Sequence, residues 1–381
     1  MANVLILGGG FAGVVAAERL ARTLDPAEHQ VTLVSRGRRF TFYPALVRLA
    51  FGECYTDDIS YDLREAMRAR GVRFVEATVA RVDPHLRRVT VTGAEFAGEM
   101  GYDYLVYALG RRLATEQVKG FFEHAHHLLS VESALRFGGA VKDFCEGVKD
   151  LRGGHAVFGS CPGARLEVPV YEAAFALARR LEEEGARARI TVLGPDYPSE
   201  HVGGGDLARA LRPALERQQI ETLYDFPVAE VTSNLVRARD GREVAYDLLM
   251  LVPPFEGTSA LAWTGLVDDE GFVRVDQTMR ALGAERVYAA GDAVYFSGPK
   301  MGHMAVRQAE VAAENLAAEI EGRQPTSTYE HEMTLVVDAG SRDSVFLRKR
   351  LWDESDRSVS WGLFWGWAKR VHERYWQAKH S

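Results

Sequence analysis

Short unbroken apolar runs alternate along the chain with stretches whose apolar residues recur at helical spacing. Asn3-Val4-Leu5-Ile6-Leu7 is the first such run. It has the character of a strand buried on both faces of a parallel sheet. Residues 14–24 follow at helical spacing, and Val31-Thr32-Leu33-Val34 is a second buried strand. The alternation returns at residues 155–159 (strand), 168–184 (helix) and 189–193 (strand), with Pro169 in the first helical turn, where its missing N–H costs nothing. Residues 102–110 and 286–292 each predict a strand running into a small-residue turn, and residues 305–320 a long helix. This order predicts an α/β fold of two Rossmann-like dinucleotide-binding domains. Residues 1–111 and 261–325 form the two parts of the first domain. Residues 112–260 form the second, inserted between them, and 326–381 a small C-terminal region. A length of 381 residues suits two or three domains at roughly 100–200 residues each.

The first strand runs into Gly8-Gly9-Gly10-Phe11-Ala12-Gly13, a G-x-G-x-x-G turn opening a helix. Gly8 permits the tight turn, Gly10 lets backbone approach a pyrophosphate, and Gly13 lets the helix pack close to the strand. The free N–H groups of the helix N-terminus then face the phosphates. An acidic residue commonly ends the second strand and binds the ribose; here Ser35 and Arg36 stand there. Ser35 can still hydrogen-bond a ribose, and Arg36 can face a phosphate.

Two later segments point to FAD. Tyr102 to Gly110, ending Ala108-Leu109-Gly110, resembles the ATG motif of two-domain flavoprotein reductases of the pyridine nucleotide-disulfide type, with Leu109 in place of Thr. Arg286 to Asp292, ending Ala290-Gly291-Asp292, resembles their second FAD signature. The resemblance implies that Asp292 bonds the ribityl or pyrophosphate region; a helix N-cap or turn role is the alternative. It also implies that the helix after Lys300-Met301-Gly302 aims its positive N-terminus at the flavin pyrimidine. Lys300 would add charge there, or be a solvated loop lysine.

The second strand–helix–strand unit lacks the fingerprint. Its loop, Gly159-Ser160-Cys161-Pro162-Gly163-Ala164-Arg165-Leu166-Glu167, has no third glycine at the required place, which disfavours NADH there. With Pro169-Val170-Tyr171-Glu172 after it, this loop resembles the cysteine loop of sulfide:quinone oxidoreductases and flavocytochrome c sulfide dehydrogenase flavoproteins. Phe40 to Leu46, including Pro44, is similar to their flavin-lining stretch, and Glu200-His201-Val202-Gly203 to their glycine-rich loop. Pro253 to Gly257, Gly271 to Asp276, Lys300 to Gly302 and Ala368 to Tyr375 extend the resemblance over nearly the whole chain. It implies a redox disulfide opened by sulfide, a thiolate passing an electron pair to FAD, and quinone as acceptor on the other flavin face. Cys161 would be the thiolate, and His201 would shuttle protons.

The chain departs from that family at the cysteines. Cys54, Cys145 and Cys161 are its complement. No second redox cysteine follows Cys161, and none stands near Ser130 for a covalent flavin link. A disulfide from Cys161 to Cys145 or Cys54 is one option; a buried small hydrophobe without chemistry is the other. An FAD-binding protein without sulfide oxidation is therefore a competing reading, and a type II NADH:quinone oxidoreductase another.

At the C-terminus Trp361, Phe364, Trp365, Ala368, Val371, His372 and Tyr375 recur at helical spacing, with Lys369, Arg370, Glu373 and Arg374 on the flank. Such a helix can lie in a membrane interface, with Phe364 and Tyr375 as quinone contacts. Core packing or a homo-oligomer contact is the alternative. The net charge of −7 argues against nucleic acid as a partner. No C-x-x-C pair signals a metal or dithiol site, and the low cysteine count fits a reducing compartment. The start carries no basic region or cleavage site, so no signal peptide is expected, and no run of about 18 apolar residues predicts a spanning helix. The expected location is peripheral, on the cytoplasmic face of a membrane, with a small reductant as donor.

Overall fold

The computed structural model describes residues 1–150, 153–194, 206–296, 298–339, 344–350 and 357–381. Strand β1 (Ala2–Leu7) leads into helix α1 (Phe11–Thr23), then β2 (His29–Ser35), β3 (Arg73–Glu76) and β4 (Tyr104–Tyr107). Val4 to Leu7 are completely buried, as a central parallel strand requires. Helix α1 begins three residues earlier than apolar spacing indicated. Gly10, with φ −84° and ψ −170°, is its extended N-cap, and the small Ala12 and Gly13 carry no periodic apolar signal.

Helix α2 (Val131–Asp150) precedes the second unit, which comprises β5 (His155–Ser160), α3 (Val168–Glu183), β6 (Arg189–Leu193), β7 (Ile220–Leu223) and β8 (Leu248–Val252). The chain then returns to the first unit with β9 (Val287–Ala289) and α4 (Gly302–Ile320). The first sheet has the order β9-β4-β1-β2-β3, the second β7-β6-β5-β8, and every pairing in both is parallel. These are two Rossmann-like sheets. In the first, β1 pairs with β2 on one side and β4 on the other, so the connections diverge at β1 and β4. Ligands bind at such switch points, beyond the strands' carboxyl ends.

The C-terminal region contains an antiparallel sheet that the sequence patterns did not announce: β10 (Glu332–Asp338), β11 (Ser344–Arg350) and β12 (Arg357–Trp361). Helix α5 (Leu363–His380) closes the chain. Met333, Leu335, Val337, Val345 and Leu347 turn to the core, whereas Phe346 stacks on Trp365 of α5 at 4.1 Å.

Helix α5 is inverted relative to an ordinary surface helix. Its buried residues are Glu373, Trp376 and His380, while Leu363, Phe364, Trp367, Val371 and Tyr375 are exposed. Lys369 and Glu373, expected on the outer flank, instead turn inward and pair with Glu172 and Arg48. Charge partners on α3 and the first domain decide this orientation, and they are invisible in the helix's own periodicity. No helix among the described residues is long and apolar enough to cross a membrane.

Candidate functional site

The carboxyl ends of β1, β2, β4 and β9 gather the residues expected around FAD. Gly8 has φ +109°, and a Cβ there would overlap the carbonyl of Ala108 beyond β4. A Cβ on Gly13 would overlap the carbonyl oxygen of Gly8. Both glycines are thus demanded by backbone packing inside the loop. Gly10 differs, since a Cβ there would meet nothing within 4 Å. It borders open space beside the N-terminus of α1, the cradle that a pyrophosphate needs.

Around that cradle, Gly291 (φ +77°) brings its backbone to the methyl groups of Ala12 and Ala305. Gly302 lies against the Phe11 ring, 3.3–3.4 Å from where its Cβ would be. The two parts of the first domain therefore meet over α1. Gly110 (φ +68°) faces open space. Ser35 is buried at the end of β2, and its hydroxyl donates to the Gly37 carbonyl at 2.9 Å. Its oxygen can still accept. Arg36 is exposed, as is Pro44 in the short turn Tyr43–Ala45.

Asp292 caps no helix. It sits in the short 3-10 turn Gly291–Ala293 and forms an ion pair with Arg111, whose guanidinium also lies over the Phe255 ring at 4.0 Å. Lys300 is not a solvated loop residue. Only 3% of it is exposed, its Nζ donates to the Val294 carbonyl, and it lies 4.1 Å from the centre of the Phe272 ring. Burial pulls its pKa down to about 7, with Arg165 and Arg111 pushing the same way against Asp292 and Asp268. A lysine so placed gains a proton readily when negative charge appears beside it.

Arg111, Arg165 and Trp376 belong to this neighbourhood although sequence patterns did not single them out. Arg165 is buried, pairs with Glu270, and hydrogen-bonds the Phe296 carbonyl. Its own carbonyl receives the Lys300 N–H at 2.8 Å, tying the second-domain loop to the first domain. Arg111 directly follows the turn at Gly110, but its partner Asp292 is distant in sequence and leaves no local signal.

The second loop is built differently from the first. Cys161 is fully buried among Phe121, Val157, Leu193 and Leu251. Burial alone drives its thiol well above the ordinary range. That environment disfavours the thiolate on which a catalytic Cys161 depends. All three cysteines are free and buried, so the disulfide options to Cys145 and Cys54 are not realised. A Cβ on Gly159 would press on the Leu193 side chain at 2.9 Å, and the buried Glu167 is the N-cap residue of α3, where a carboxylate opposes a phosphate. No cradle comparable to Gly10 exists on this loop. His201 and its glycine-rich loop lie outside the described residues. Phe364 and Tyr375, 60% and 58% exposed, stand on the outer side of α5. A cavity of about 510 Å³, lined in part by His124, His126, Asp143 and Asp247, lies at the amino ends of β5 and β8, away from these groups.

The family model of the pyridine nucleotide-disulphide oxidoreductases matches residues 2–143, the segment carrying the glycine loop. The similarity to that family is carried by this first segment of the chain. The match is thus to a family of FAD-binding flavoprotein oxidoreductases. Among solved structures, the sulfide:quinone oxidoreductase from the hyperthermophilic bacterium Aquifex aeolicus shares the fold with a TM-score of 0.90. That match covers 100% of this chain and 91% of the other at 22% identity. Among characterised relatives, the mitochondrial sulfide:quinone oxidoreductase of Mus musculus is 21% identical over 86% of this chain and 73% of its own length. The alternative NAD(P)H-ubiquinone oxidoreductase C1 of Arabidopsis thaliana is 26% identical over 84% of this chain and 68% of its own.

Proposed function

We propose that this flavoprotein holds FAD at the β1–β4 switch point and passes electrons from a small reductant to quinone while docked on a membrane surface. The observation that carries this reading is the contact between Trp376 and Phe11, with ring centres 4.8 Å apart. It sets the helix with the outward aromatic face directly against the glycine loop. The names of the relatives support a quinone acceptor.

The residues present fit FAD. The open face of Gly10 and the N–H groups of α1 would hold the pyrophosphate, Ser35 the ribose, and Arg36 an outer phosphate oxygen. Ala108 and Gly110 would let backbone approach from β4, with Pro44 and Gly302 flanking the ring system. The Arg111–Asp292 pair would fix the ribityl side. Bound FAD supplies two-electron transfer chemistry. Lys300, with its pKa near 7, and the amino end of α4 place positive character where negative charge would develop. Lys300 would hold a proton beside such charge. On the opposite side, Phe364 and Tyr375 would flank the quinone at the lipid interface, and the exposed Arg370 and Arg374 would suit anionic lipid.

Burial of Cys161 disfavours its thiolate, which argues for a donor that does not act through it. NADH is the second reading, favoured by the NAD(P)H-ubiquinone relative and opposed by Glu167 and the missing cradle. Sulfide and NADH are to be added separately, without oxygen, to purified protein, followed by a quinone analogue. Bleaching of the flavin band by one donor and recovery with quinone is expected. A flavin band that dithionite bleaches but quinone cannot restore would sink the quinone reading. Bleaching by NADH alone would replace the donor assignment.

A further inference from the structure

Helix α5 touches α1 at two heights. At the amino end of α1, the 4%-exposed Trp376 packs on Phe11, the first helical residue after Gly10, and on Phe40 and Phe42 at 5.7 and 6.3 Å. Two turns further along α1, the buried Glu18 accepts a hydrogen bond from Nδ1 of the buried His380 at 2.8 Å. Arg70 lies 2.9 Å from the other Glu18 oxygen and donates to the Lys379 carbonyl at 2.6 Å. Residues 11 and 18 share one helix face, so the tail of α5 braces the helix whose N–H groups form the cradle. A buried carboxylate such as Glu18 is costly unless its partners are in place, which makes the brace specific. The opposite face of α5 carries Leu363, Trp367, Val371 and Tyr375 at every fourth position, all exposed, beside the exposed Arg370 and Arg374.

We propose that α5 is a positioning element coupling the two faces: Trp376 and His380 hold the glycine loop in its cofactor-binding form, and an anionic lipid surface on the outer face tightens FAD binding. The lipid half rests on the membrane reading above; the inner half does not. A surface that favours seated α5 must favour whatever seated α5 stabilises, and the linkage is reciprocal. Trp376 is a positioning residue, since it acts through Phe11.

The test is the rate of FAD release from holoprotein, in buffer and on vesicles of equal parts phosphatidylcholine and phosphatidylglycerol. Far-ultraviolet circular dichroism monitors the fold. Trp376→Ala is expected to speed release in buffer by at least about tenfold, on the scale of losing a buried aromatic anchor. Trp376→Phe should restore most of the retention, and His380→Gln should give a smaller loss. Wild-type protein should release FAD more slowly on vesicles. Trp367→Ser should match wild type in buffer and lose the vesicle effect. Wild-type release rates in both Trp376→Ala and His380→Gln would overturn the inner-face role. Protein that sediments with vesicles yet releases FAD unchanged would overturn the coupling. Protein that does not sediment with them would overturn the membrane reading and the lipid half with it, leaving the buffer result to judge the inner half alone.

Discussion

The two glycine-containing loops sit on the same strand–loop–helix scaffold and have opposite chemistry. In the first, Gly8 and Gly13 let the backbone close on itself while Gly10 keeps open space beside a helix N-terminus. In the second, Cys161 fills the corresponding interior, a Cβ on Gly159 would press on Leu193, and Glu167 puts a carboxylate at the helix start. A Rossmann-like unit is therefore a scaffold and not yet a dinucleotide site. What makes the site is vacant volume next to unpaired N–H groups, free of negative charge.

The largest test of this contrast is Gly13→Ala. Its Cβ would overlap the Gly8 carbonyl, so FAD affinity should fall by roughly 100-fold or more, with a lower melting temperature. Retention of FAD would break the argument from the first loop. Lys300→Met comes next. The group ordinarily titrates at 10.5 and does so at about 7 in the fold. Between those values the unfolded chain binds more protons, so this residue adds stability as pH rises from 7 towards 10.5 and its penalty is constant below 7. The wild-type melting temperature should climb relative to Lys300→Met across that window; parallel curves would deny the burial of the charge. Cys161→Ala should cost about 1 kcal/mol in denaturant unfolding through lost packing and leave kcat within about twofold. A loss of 100-fold or more would restore a nucleophilic role and erase the distinction between the loops. The smallest effect belongs to Arg36→Ala. The side chain is exposed, so FAD affinity should weaken only about two- to threefold.

Legibility in the sequence followed the range of the interaction. The first loop was readable because its glycines answer constraints within a few residues, and the strands because full burial on both faces needs continuous apolar runs. Asp292 and Lys300 were recognisable as candidates from their motifs, but not their settings. The Arg111 pair of Asp292 and the Phe272 ring beside Lys300 depend on residues far away in the chain. Helix α5 was recognised as amphipathic, yet its inward partners, Glu172, Arg48 and Glu18, lie on three other segments. The antiparallel sheet of β10 to β12 gave no usable signal, because the apolar Val336 and Phe346 stand at outward positions and blur the alternation.

By itself, then, the sequence determined two parallel α/β units, the phosphate-type loop at Gly8 to Gly13, and an aromatic helix at the end of the chain. Each of these is written in local periodicity and backbone sterics, which act over one turn or one strand. The tertiary structure decided that Cys161 is core, that Lys300 is a buried lysine with a depressed pKa, and that α5 turns Lys369, Glu373 and Trp376 inward and Phe364, Trp367 and Tyr375 outward. Those outcomes depend on desolvation and on charge partners, and both are set by where distant segments meet.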